Sequence, residues 1–159
     1  MGAIGAVEWF VVSITAGVVA LAVVMHYEIV AGLNRWVRRR GGYASLGRPG
    51  RRTLLFVMFA LLAAHVAEIW LFALGFYILD RAGDYGEVLG YDRFGFLDYV
   101  YFSAANYTTV GWGDLAAVGP MRFLAGTEAL TGFMLITWSA SFTYLIMART
   151  WGVDDEESL

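Results

Sequence analysis

The sequence predicts an all-α membrane protein, with three transmembrane helices and one shorter segment that enters the membrane and turns back. Three observations predict it. The chain of 159 residues is 59% hydrophobic, above the share expected of a soluble domain. Three apolar runs, at 7–33, 53–79 and 121–147, each exceed the roughly 20 residues a helix needs to cross the hydrocarbon. A fourth apolar stretch, within 95–109, is too short to cross and ends in the glycine-bracketed octet TTVGWGDL.

The first run carries Glu8 near one end and His26 and Glu28 near the other. Its N-terminal flank, MGAIGAVEWF, lacks a positive region, and the run is too long for the core of a signal peptide. It is therefore expected to remain as a span. The second run contains His65 and Glu68, and the third contains Glu128. The aromatic-rich part of 95–109 is about eleven residues, or roughly 16 Å as a helix, against a hydrocarbon thickness of about 30 Å. Non-helical backbone at membrane depth survives only where it is buried in protein or lines water. Gly111 and Gly113 mark the return limb of such a re-entrant segment.

Charge sets the orientation. All eleven basic residues are arginine, and seven of them (35, 38, 39, 40, 48, 51 and 52) fall between spans one and two. Basic residues in short connections favour the cytoplasmic side. The N-terminus is then outside and the C-terminus, with Arg149, inside; Arg81, Arg93 and Arg122 are outside. Trp9 and Tyr77 fall at the outer boundary and Trp36 and Trp151 at the inner one, as interfacial anchors do. With no cysteine, disulfides and thiolate metal sites are excluded. A basic cluster beside apolar spans reads as a surface for anionic lipid rather than nucleic acid. Asp80, Asp84, Glu87 and Asp92 make the outer loop acidic, and the 154–157 run reads as a solvated tail. No nucleophile–base arrangement points to an enzyme.

TTVGWGDL, preceded by a short aromatic helix and followed by a long span, resembles the selectivity-filter signature of potassium channels, usually written TVGYGD. The resemblance covers about 53–149 as a pore module: outer helix, pore helix (96–107), filter (109–113) and inner helix. Residues 1–34 are then an extra N-terminal transmembrane helix, 35–52 an Arg-rich cytoplasmic loop and 150–159 an acidic cytoplasmic tail. It is similar in plan to short prokaryotic channel-like proteins, so it implies a homotetramer in a prokaryotic inner membrane, no cofactor, and bound potassium ions in the filter.

Potassium crosses a membrane only if something replaces its hydration shell, and rings of backbone carbonyls do so. The resemblance assigns Thr109, Val110, Gly111, Trp112 and Gly113 to that ring set, with Asp114, Tyr101 and Phe102 as filter support. Trp112 departs from the family's tyrosine, and a non-selective cation channel is the alternative it motivates. Ala105 stands where the family often has a glutamate, so Asp114 needs another donor; the Trp112 indole is one candidate. Gly132 matches the family's hinge glycine if one residue is deleted from the turret, with close helix packing as the other explanation. The spacing from Gly132 turns Phe133, Ile136 and Ala140 toward the cavity.

The intramembrane polar residues have two readings. His65 and Glu68 are three apart and share a helix face, whereas His26 and Glu28 are two apart and point to different faces. His26, Glu28, His65 and Glu68 could form a proton-sensing or metal-binding cluster, or a hydrogen-bonded clasp between the first two spans. A membrane metal or proton sensor, or an interaction subunit that does not conduct alone, are the readings from other classes.

Overall fold

A computed structural model of the chain describes residues 5–39, 50–91 and 94–151. Arg40, Arg48, Asp92, Arg93 and the acidic 154–157 run lie outside the described residues, as do the side chains of Arg149 and Trp151. The elements are α1 (Ala6–Arg39), α2 (Arg51–Ala82), β1 (Glu87–Leu89), α3 (Phe96–Tyr107), β2 (Ala116–Val118), a 3₁₀ turn (Gly119–Met121) and α4 (Arg122–Trp151). Three of these helices are long and apolar enough to cross a membrane.

Their length has a physical reason. At 1.5 Å per residue, the 34 residues of α1 reach about 51 Å, more than the hydrocarbon requires. The surplus is polar: α1 runs on through Arg35, Arg38 and Arg39, and α2 begins at Arg51. Arginine is a good helix former, and positive charge in α1's last turn complements the negative end of the helix dipole. Along α1 and α2 many large apolar side chains are exposed, among them Trp9, Leu21, Phe59 and Leu62. That pattern suits helices whose solvent is lipid.

The chain divides into two compact units, one of residues 1–23 with 66–134 and one of 24–65 with 135–159. The first holds the re-entrant segment. Its interior is aromatic: Phe72, Phe76, Tyr99, Phe102 and Tyr107 are all buried, with Leu79, Met121 and Leu124. Phe76 meets Phe102 edge-on at 4.9 Å between ring centroids, a geometry favoured by the ring quadrupoles. Beside the all-α plan stands a short antiparallel strand pairing in which Glu87 faces Val118, Val88 faces Ala117 and Leu89 faces Ala116. It joins the chain ahead of α3 to the chain just past the octet. The pairing is only three residues long on each side, too little for periodicity to reveal.

In the second unit Val30, Leu33, Val37, Val57, Leu61 and Ile146 form the core, and Trp36 packs on Phe56 at 4.6 Å. Spacings of three and four along α1 put Val30, Leu33 and Val37 on one stripe.

Candidate functional site

The re-entrant helix α3 begins where Asp98, in its first turn, accepts a hydrogen bond from the Gly95 N–H at 2.7 Å. It ends at Tyr107 because the following residues take up its last carbonyls. Thr108 N–H donates to Ala104 O at 3.1 Å, Thr109 N–H to Asn106 O at 2.8 Å and Gly111 N–H to Ala105 O at 3.1 Å. A helix C-terminus otherwise leaves those carbonyls without donors. The octet is thus hung from the end of α3 by its own amides.

Backbone conformation alternates along it. Thr109, Gly111 and Gly113 have φ of 59°, 53° and 82°, while Val110 and Trp112 between them do not enter the left-handed region. Such alternation turns successive carbonyls to one side of the strand. Glycine adopts positive φ without penalty, but Thr109 does so at a cost of about 1–3 kcal/mol. Thr109 is the only non-glycine residue with positive φ among the described residues. Within the chain no hydrogen bond reaches the carbonyls of 109–113 among the described residues. The whole stretch from Thr108 to Asp114 is exposed, Trp112 at 71%. One strand therefore offers a row of exposed carbonyl acceptors that no donor among the described residues meets.

Asp114 follows the last glycine of the octet. Its carboxylate accepts hydrogen bonds from the Tyr91 hydroxyl at 2.9 Å and the Tyr101 hydroxyl at 3.0 Å. These tyrosines, not the Trp112 indole, are the donors that the sequence left open. Partial desolvation pushes the carboxyl up, but the two hydroxyls and the backbone N–H groups of Asp114 and Leu115 outweigh it and hold it below the usual carboxylate range. The hydrogen bond to Asp114 raises the Tyr91 hydroxyl above the ordinary phenol range, with desolvation and the nearby charge adding to it. The Tyr101 side chain thus reaches the octet through Asp114, whereas Phe102 is buried and packs on Phe76. Asp80, read as one of several acidic loop charges, is structural here: it accepts from the Val88 N–H at 3.2 Å and from the Tyr99 hydroxyl.

On α4, buried positions recur as Leu124, Glu128, Thr131 and Gly132. A Cβ at Gly132 would lie 2.2 Å from the Tyr107 carbonyl oxygen and 2.8 Å from its ring. Close approach to the end of α3 is enough to require glycine there. The Ser103 hydroxyl of α3 lies against the Glu128 carboxyl, a partnership sequence reasoning missed, although Glu128 was visible as a lone carboxyl in an apolar run. Tyr107 donates to Glu68, and both are buried. Further along α4, Ile136 and Ala140 are exposed, as is Phe133.

The second unit brings His26 and His65 together, with ring centroids 5.3 Å apart. Ser139 joins them: its hydroxyl is 3.0 Å from His65 Nε2 and 3.3 Å from His26 Nε2. Glu28 does not join; it faces Arg35 at 3.9 Å in an exposed ion pair.

Searches of curated proteins and of solved structures find no match. A family model described as ion channel matches residues 54–148, which takes in α3, the octet and nearly all of α2 and α4. With three spanning helices and a re-entrant helix ending in a row of free carbonyls, the chain belongs to the ion-channel family.

Proposed function

We propose that the protein is a homotetrameric channel that conducts potassium passively through rings of carbonyls from Thr109, Val110, Gly111 and Trp112. The Thr109 hydroxyl is the innermost ligand. The observation that carries this reading is the left-handed conformation at Thr109, Gly111 and Gly113, which aligns carbonyls that nothing among the described residues satisfies. Carbonyls left without donors are costly unless water or a cation meets them, and a ring of such strands replaces a hydration shell. The C-terminal end of α3, with its partial negative charge, lies at the inner start of the octet and favours a cation there.

In this reading Phe133, Ile136 and Ala140 face the cavity, and opening moves α4. The arginines flanking the first connection rest on anionic lipid of the cytoplasmic leaflet of a prokaryotic inner membrane. The N-terminus is then outside. Trp112 favours a second reading, a non-selective cation pore: its ring is exposed, and the outer end of the filter is braced through Asp114 instead.

The test is the bi-ionic reversal potential of the purified protein in a planar bilayer, potassium against sodium. A value far toward the potassium side supports the selective channel. A value near zero with clear current selects the non-selective pore, and restoration by Trp112→Tyr makes the tryptophan its cause. Absence of current from protein opened by every condition tried would count against a channel acting alone.

A further inference from the structure

Glu128 is the buried ionisable group that conduction through the octet does not use. It is fully buried on α4, at 0% exposure, and its surroundings belong to α3 and α2. The Ser103 hydroxyl lies 2.8 Å from the Ile69 carbonyl oxygen and 2.5 Å from Glu128 Oε1. A hydroxyl has one proton to donate. A backbone carbonyl can only accept, so the Ser103 proton is committed to Ile69 if both contacts are hydrogen bonds. The proton in the second contact must then come from the Glu128 carboxyl.

The other half of the carboxyl fits the same assignment. Glu128 Oε2 and the Asn106 side-chain Nδ2 are buried polar atoms without a hydrogen-bond partner, and Asn106 is the other α3 side chain that bears on Glu128. Ser103 and Asn106 are three apart on α3 and so share a face. A neutral carboxylic acid offers one donor, Oε1–H, and one free acceptor, Oε2. Opposite them stand an acceptor, the Ser103 oxygen, and a donor, the Asn106 amide. An ionised carboxylate would meet a single shared hydroxyl proton and would remain buried with most of its lone pairs unmet, which is expensive.

We infer that Glu128 is a neutral acid that clamps α4 to Ser103 of α3, and so acts as a positioning residue for the filter. The inference rests on the channel reading for its functional consequence. The path is short: the carbonyls of Ala104, Ala105 and Asn106 hold the amides of Thr108, Gly111 and Thr109, so displacing this face of α3 displaces the filter.

The experiment uses the full-length protein in lipid, with Glu128→Gln, Glu128→Ala and Ser103→Ala. Glutamine offers the same donor and acceptor pair as the neutral acid; alanine offers neither. The infrared carbonyl band of a protonated carboxyl should be present in the wild type at neutral pH and lost in Glu128→Gln. Amide hydrogen exchange at Thr109 and Gly111 should be as slow in Glu128→Gln as in the wild type, and at least tenfold faster in Glu128→Ala. Where the wild type conducts, Glu128→Gln should keep its reversal potential, and Glu128→Ala should shift it toward zero. Ser103→Ala, which changes little volume, should speed exchange in the same direction if the alanine at 128 prevents assembly. No band difference between wild type and Glu128→Gln would overturn the neutral acid. Unchanged exchange in both Glu128→Ala and Ser103→Ala would overturn the clamp. A wild type that carries no current would sink the channel reading and leave band and exchange to decide the clamp.

Discussion

The Tyr91 hydroxyl donates to the Asp114 carboxylate at 2.9 Å, tying the loop ahead of α3 to the residue that follows Gly113 in the octet. Tyr101 donates to the same carboxylate from α3. Two donors on one exposed acceptor make each replaceable and the pair indispensable. Tyr91→Phe or Tyr101→Phe alone should leave current intact with a modest drop in open time. On the proposed potassium-channel reading, the double variant should move the potassium-against-sodium reversal potential toward zero, a severalfold loss of preference. A double variant indistinguishable from the wild type would remove Asp114 from that proposal.

Those contacts also set a pH window. Asp114 is held below the usual carboxylate range, so the stability it contributes is fully present above the unfolded carboxyl value of about 3.9. That contribution is lost only as pH falls through the lower folded value. Tyr91 is raised, so its share persists below the ordinary phenol value of about 10 and is lost as pH rises through the higher folded one. Conductance measured with outside pH lowered from neutral to 5 should therefore be flat. Tyr91→Phe should move the acid loss to higher pH, because one of the hydrogen bonds that lowers Asp114 is gone.

What the sequence disclosed follows from where the information lies. The bounds of α3, Phe96–Tyr107, match those that the resemblance implied; the aromatic stretch by itself marked only a short segment within 95–109. The spans are legible because their apolar runs are long. Gly111 and Gly113 could be named because glycine spacing reports backbone conformation locally, whereas Thr109 came from the resemblance and its positive φ had no signal in the sequence. The partners could not. Tyr91 and Asp114 are 23 residues apart, and Ser103 and Glu128 are 25 apart; a polar residue in an apolar run announces a need without naming what meets it. The reach of Tyr99 to Asp80 was hidden in a loop whose acids read equally well as surface charge.

Gly132 and Gly126 offer a matched comparison on α4. At Gly132 a Cβ would sit 2.2 Å from a backbone oxygen, whereas at Gly126 nothing lies within 4 Å. Gly132→Ala should destabilise by about 1–3 kcal/mol through overpacking. Gly126→Ala should be neutral or stabilise by up to about 1 kcal/mol, since alanine is the better helix former. Thermal denaturation in detergent reads both. If Gly132→Ala were as stable as the wild type and altered only gating, the glycine would serve bending rather than packing.

The His26, Ser139 and His65 contacts separate a clasp from a metal centre. Both imidazoles already approach one hydroxyl, and Ser139 can donate its proton to only one of them, so the other ring donates to it. That arrangement holds three helices' side chains together with no ion. Ser139→Ala removes both contacts and should cost about 1 kcal/mol of stability, with an unchanged reversal potential, because the filter is built from other residues. Prolonged chelation of the purified protein should change neither melting nor flux. Stoichiometric zinc or copper in untreated protein, with a melting temperature that falls on chelation and recovers on readdition, would replace the clasp by a metal site at His26 and His65.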